Sequence, residues 1–163
     1  MTFFRFLLIF AVAAVFVSAA NAQDTQVAFG TIQNNNGLPV ERTSDTLAVD
    51  QGTGKAVFSG NVVIAQGEMR LSAEEVVVLY REEPRGIARV EATGGVTLIS
   101  GEDAAESEEA EYNVDNGTIV MTGNVLLAQG PSALTADKLT VQVQNGTAQM
   151  SGRVKTVFQT EEN

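Results

Sequence analysis

Any catalysis in this chain would have to be carboxylate chemistry. Its 163 residues include 20 Asp and Glu but no histidine and no cysteine. That removes Ser-His-Asp and Cys-His nucleophile systems, and every zinc site built on His or Cys. The densest acidic stretch is "GEDAAESEEAEY" at 101–112, with Glu102, Asp103, Glu106, Glu108, Glu109 and Glu111. Glu108 and Glu109 are adjacent, so on a strand they point to opposite faces and make a poor glycosidase pair. Calcium could use such oxygens, but the spacing matches no EF-hand loop. The favoured reading is a solvated outer face. No glycine loop of the Walker type is present for a nucleotide phosphate. No catalytic residue, metal ligand or cofactor is therefore assigned, and the expectation is a protein that is not an enzyme.

The formal net charge of −10 bears on partners. A net acidic chain repels phosphate backbones, and no basic patch interleaves with aromatics, so nucleic acid is not an expected partner. Without cysteine the chain cannot be a disulfide scaffold, and a packed core must hold it together. The N-terminus reads as a secretory signal. Arg5 supplies the charge, Phe6 to Val17 is an unbroken apolar run, and Ala20-Asn21-Ala22 is a small-x-small cleavage site. The run is shorter than the ~20 residues of a comfortable membrane span. Residues 1–22 are read as a signal peptide cleaved after Ala22, with an uncleaved anchor as the alternative. Residues 23–37, rich in Gln and Asn, read as a flexible lead-in, although Val27 to Ile32 could add an edge strand.

The elements that would position any site come from a repeat. One mark is small-acidic-x-apolar-x-apolar: "SDTLAV" at 44–49, "AEEVVV" at 73–78, "SEEAEY" at 107–112 and "ADKLTV" at 136–141. The other is small-Gly-x-Val: "SGNV" at 59–62, "TGGV" at 93–96, "TGNV" at 122–125 and "SGRV" at 151–154. Their spacing is about 29 residues, lengthened once by "REEPRG" at 81–86, a loop around Pro84. Four degenerate copies thus run from about Ser44 to Phe158.

Within a copy the apolar residues alternate, the pattern of a half-buried strand. β-branched and turn residues dominate, so the chain is all-β. Asn116-Gly117 and Asn145-Gly146 are candidates for two-residue type I′ turns. Folding there sets Val114 opposite Ile119 and Tyr112 opposite Met121, then Val143 opposite Ala148 and Val141 opposite Met150. The apolar faces coincide, which favours antiparallel hairpins over a parallel β-helix. One-faced antiparallel strands need a second sheet, so a sandwich or jelly roll follows. Gly60, Gly94, Gly123 and Gly152 fall mid-strand, where glycine marks a bulge or a corner.

The inward set is Leu47, Val49, Phe58, Val62, Ile64, Leu71, Val76, Val78, Leu98, Tyr112, Met121, Val125, Leu127, Leu134, Leu139, Val141 and Met150. An ordinary packed core is one reading. With no tryptophan to fill the gap between sheets, a trough open to alkyl chains is the other.

The string "SDTLAVD…KAVFSGNVVIAQGEMRLSAEEVVV" at 44–78 resembles the core signature of the OstA-like family of lipopolysaccharide-transport proteins. "TGNVLLAQG…LTADKLTV" repeats it, and the likeness spans roughly 39–158. The resemblance implies a folded antiparallel β-jelly roll of two facing sheets, slightly open along one edge, over residues 38–159. A short C-terminal tail, 160–163, would follow. It also implies a periplasmic protein that binds lipopolysaccharide, with lipid A acyl chains in the inward set plus Val40. Subunits would stack end to end, self with self, bridging an inner-membrane LptC-like protein and an outer-membrane LptD-like translocon. The stacking edges would be Pro39 and Val40 at one end and Val154, Val157 and Phe158 at the other. Arg42 stands where the family usually has an apolar residue. The rival readings are an LptC-like anchored partner of the same system, and a closed-core structural β-repeat protein.

Overall fold

The computed structural model describes residues 25–29 and 38–158. The expected signal peptide with its cleavage after Ala22, most of the expected lead-in, residue 159 and the expected tail at 160–163 lie outside these residues.

Eleven strands and no helix make up the described chain: β1 (Thr25–Ala28), β2 (Glu41–Thr43), β3 (Thr46–Asp50), β4 (Lys55–Gln66), β5 (Met69–Arg81), β6 (Gly86–Ser100), β7 (Asp103–Asn113), β8 (Thr118–Gln129), β9 (Ser132–Gln142), β10 (Thr147–Ser151) and β11 (Lys155–Phe158). They form one antiparallel sheet in the order β1-β10-β9-β8-β7-β6-β5-β4-β2, with β3 also on β4 and β11 also on β9. The path does not close on itself. This is the all-β, slightly open jelly roll expected from sequence, built as a meander folded over itself.

The fold line is written in the glycines. Gly60, Gly94, Gly123 and Gly152 have φ between 78° and 85°, and Asn61, Gly95, Asn124 and Arg153 after them are also positive. Two successive left-handed residues cannot continue a strand, and the ladders slip there, as between Ser59 and Val62 and between Thr122 and Val125. β4, β6 and β8 therefore turn a corner, as does the chain between β10 and β11, and β5, β7 and β9, paired between them, follow the same fold line. On one side of the crease lie β3, the first part of β4, and on through β10 and β1. We term this the front wall. On the other side lie β2, the last part of β4, and on through β11, which form the back wall.

The two sequence marks meet at this crease. Asp45 donates its N–H to the Gly60 carbonyl at 2.9 Å, and Asp137 does the same to Gly152 at 2.8 Å. A Cβ on Gly94, Gly123 or Gly152 would lie 2.5 to 2.6 Å from atoms of Glu74, Glu108 or Asp137. The residue after the glycine then grips the carboxylate. Asn61 Nδ2 donates to Asp45 at 2.9 Å, Asn124 Nδ2 donates to Glu108 at 2.6 Å, and Arg153 Nη2 donates to Asp137 at 2.6 Å. The acidic residue of one mark is thus the lid on the glycine of the other.

One expectation is corrected. The Asn-Gly turns are not two-residue loops. Tyr112 faces Ile119, and Ala110 faces Met121. Val141 faces Ala148, and Leu139 faces Met150. Only Gly117 and Gly146 of each pair take positive φ, so the type I′ turn, which needs two such residues, does not form. Instead Asn113 Oδ1 accepts from the N–H groups of Asp115 and Asn116, and Gly146 donates to Gln142 O at 2.9 Å. The resulting loops are two residues longer. The register shifts by two, so the apolar faces still coincide. In the lead-in, the edge strand that the sequence allowed at Val27 to Ile32 begins two residues earlier: residues 25–28 form strand β1 on β10, and Phe29 is fully buried.

The acidic stretch 101–112 forms the hairpin β6–β7 and strand β7. Ala105, Ser107 and Ala110 turn inward, while Glu106, Glu108 and Glu109 are exposed.

Candidate functional site

Registers carry the inner face from one end of the molecule to the other. In the back wall one row reads Arg42, Ile64, Leu71, Leu98, Ala105, Leu127, Leu134, Thr156. In the front wall the facing row reads Val49, Ala56, Val78, Val90, Tyr112, Ile119, Val141, Ala148. Residues from both walls join one apolar cluster.

The walls do not meet evenly. Next to the crease and toward β8–β10 the interior is filled. Val62, Val76, Met121, Val125, Leu127, Leu134, Leu139, Val141 and Met150 are all buried there, with Phe58 nearly so. Toward β2 and the rim the walls part around a cavity of about 240 Å³. From the set expected in sequence, Val40, Ile64, Leu71, Val78, Leu98 and Tyr112 line it. Met69, Ile87, Val90, Ala92, Ala110, Val114, Ile119 and Val143 complete its apolar lining. Leu47 and Val49 do not reach the cavity. They lie on edge strand β3, 56% and 63% exposed. So the inward set is partly packed core, partly cavity wall and partly free edge.

Met69, Ile87, Val114 and Val143 were not in that set. They sit beside turns, where alternation is too short to score. A register carried across the hairpins would have found Met69, which opposes Gln66 and Ser100.

Polar groups are few and lie at the mouth. Arg42 and Gln66 line the cavity next to Val40, and Gln66 Nε2 donates to the Leu38 carbonyl at 3.1 Å. Arg42 opposes Ile64, so its side chain leaves β2 on the inner face. It is the one cation in the lining. Burial pushes the Tyr112 phenol above its ordinary range, so it stays neutral and adds no charge to the wall. An apolar cavity with a cationic lip can hold an alkyl chain and meet an anionic head. It offers no base and nucleophile in reach of each other, so it does not point to catalysis.

Both ends present strand edges. At one end β2 and β3 have no outer neighbour among the described residues, and Leu38, Val40, Leu47 and Val49 are exposed. At the other, β11 carries half-buried Val154 before it and exposed Val157 within it. Pro39, next to Val40, is exposed at the first end, and Phe158 pairs Ser132 as the last residue of β11.

Fold and cavity define an open, creased β-jelly roll with an apolar interior. The chain belongs to the LptA/(LptD N-terminal domain) LPS transport protein family, whose model matches residues 43–156. That is a family of transporters, not of enzymes. The crystal structure of LptH from Pseudomonas aeruginosa, described as the LptA-homologous periplasmic component of the lipopolysaccharide transport device, has a similar fold. It aligns with a TM-score of 0.69 at 17% identity, over 77% of this chain and 99% of that one. An uncharacterised protein of Rhizobium meliloti is 33% identical over 116 residues, 67% of this chain and 62% of the relative. The LPS-assembly protein LptD of Sodalis glossinidius is 36% identical over 82 residues, 49% of this chain and 10% of that protein.

Proposed function

We propose that this protein is a periplasmic carrier that shields the acyl chains of lipopolysaccharide and hands the lipid on through end-to-end subunits toward the outer membrane. The observation that carries this reading is the apolar cavity opening between the walls at the β2 end. Each buried CH₂ contributes about 0.8 kcal/mol, so alkyl chains bind without a charged pocket. The acidic surface leaves anionic sugars and phosphates in water. At 240 Å³ the cavity is smaller than the roughly 300–1,000 Å³ of sites for drug-sized ligands. Taking several acyl chains therefore requires the walls to part along the rim, which the open sheet allows.

The unpaired edges at the two ends support stacking, since a free strand edge is a template for strand addition. Partners at the termini of such a stack would be an inner-membrane LptC-like protein and an outer-membrane LptD-like translocon. The test is titration of purified protein with lipopolysaccharide and with its deacylated form. Binding only of the acylated form supports the carrier. Equal binding of both forms, or of neither, rejects it.

A further inference from the structure

The two ends of the sheet do not match in strand count. The front wall runs β3-β4-β5-β6-β7-β8-β9-β10-β1, whereas the back wall runs β2-β4-β5-β6-β7-β8-β9-β11. At the far end the front wall is therefore one strand wider. The extra strand is β1, which lies upstream of the matched family region at 43–156.

Strand direction shows what β1 covers. Every neighbour pair is antiparallel. Counting along the sheet, β10 and β11 run opposite to β2 and β3. A second copy in the same orientation could thus lay its β2–β3 edge along β10–β11 antiparallel, in both walls at once. With β1 on β10 this is blocked. The newcomer's β3 would meet β1 instead, in the same direction, and its β2 would be one strand short of β11. A parallel pair is the weaker ladder, and strands sit about 4.8 Å apart, so both halves cannot seat together.

β1 is also anchored as a closure. Phe29 is fully buried in the apolar cluster, and its N–H donates to Gly146 O at 3.1 Å. The Gln129 side-chain amide donates to the Ala28 carbonyl and to Asp103 Oδ2. Gln129 ends β8 in the back wall, so this bond ties the rims of the two walls together. The cavity lining stops at Val143, in the hairpin that receives Phe29.

We propose that β1 and Phe29 form a cap made by the chain itself. It occupies the β10 edge, which belongs in the stack to the β2–β3 edge of a second copy, and it closes that end of the trough. Release of β1 exposes the edge and opens the trough in one step. This inference rests on the stacking reading and adds a gate to it.

The test uses Gln26→Cys with Gln149→Cys. These residues are direct partners across β1 and β10, in a chain with no native cysteine. Sedimentation velocity over a concentration series reads assembly. The oxidised form should assemble at about tenfold higher concentration than the same protein reduced. Deletion of residues 25–29 should lower the wild-type midpoint by about tenfold. Stacks that form equally in oxidised, reduced and deleted proteins would overturn the cap while leaving stacking intact. If none of the forms assembles, the deletion included, the stacking reading falls and the cap with it.

Discussion

Asp137 lies over Gly152 so closely that a Cβ on the glycine would come within 2.5 Å of Asp137 Oδ2 and 2.7 Å of its Cβ. The aspartate N–H also donates to the Gly152 carbonyl at 2.8 Å. The two residues belong to different sequence marks, and their contact is one of four that fold the sheet.

The crease makes the glycines hard to replace. Gly123 has φ 84° and a Glu108 Cβ 2.8 Å from where its own Cβ would be. Gly123→Ala combines backbone strain, about 1–3 kcal/mol, with a clash that a flexible side-chain tip cannot relieve. Urea unfolding should show a loss of about 2 kcal/mol or more. A loss under about 0.5 kcal/mol would mean that the corner tolerates ordinary residues.

Gly95 should behave in the opposite way. Its φ is 83°, but nothing lies within 4 Å of a Cβ built there. Asparagine occupies the equivalent positions 61 and 124, with an acidic partner. Gly95→Asn removes unfolded-state freedom, an effect of about 0.4–1 kcal/mol, and gives Glu74 a donor. The expected change in melting temperature is zero or upward. A fall of several degrees contradicts a stabilising role for the hydrogen bond from this position to the acidic residue.

The Asp137–Arg153 pair predicts a pH dependence. Hydrogen bonding by the Arg153 guanidinium holds the Asp137 carboxyl below the ordinary 3.8. A depressed folded-state value contributes stability above the unfolded value and loses it as pH falls through the folded one. The melting-temperature gap between wild type and Asp137→Asn should be constant near neutrality and shrink below 3.8. Both groups are exposed, so added salt should narrow the gap as well. A gap that widens in acid would reverse the assignment.

Arg42 should tune the choice of head group. Arg42→Gln leaves the apolar wall in place but removes its cation. Capture of an anionic amphiphile should weaken by about tenfold, that of a neutral one of equal chain length hardly at all, since an ionic hydrogen bond contributes about 1.5–3 kcal/mol. Equal loss for both would make Arg42 a packing residue.

Much of this is legible in residue order, and some is not. Alternation in "AEEVVV" and "ADKLTV" shows strands, and the spaced glycines show where they turn. The contact of Asp45 with Gly60, or Glu74 with Gly94, is hidden, because it joins separate marks through register. Register itself escapes because the turns at Asn116-Gly117 and Asn145-Gly146 are set by side-chain acceptors as well as by glycine. Burial is less legible still. Val78 lines open space and Val76 does not, yet both stand on the same face of β5. The difference is the distance between walls, which alternation does not encode. β1 is short and outside the repeat, so its pairing with β10 leaves no periodic trace.

The central claim is that the space between the walls receives acyl chains. A photoreactive side chain at Leu71, which lines the cavity, and another at Ile99, on the outer face of the back wall, test it in cells. The account predicts a lipopolysaccharide adduct at Leu71 and none at Ile99. No adduct at Leu71, or one of equal strength at Ile99, would contradict it.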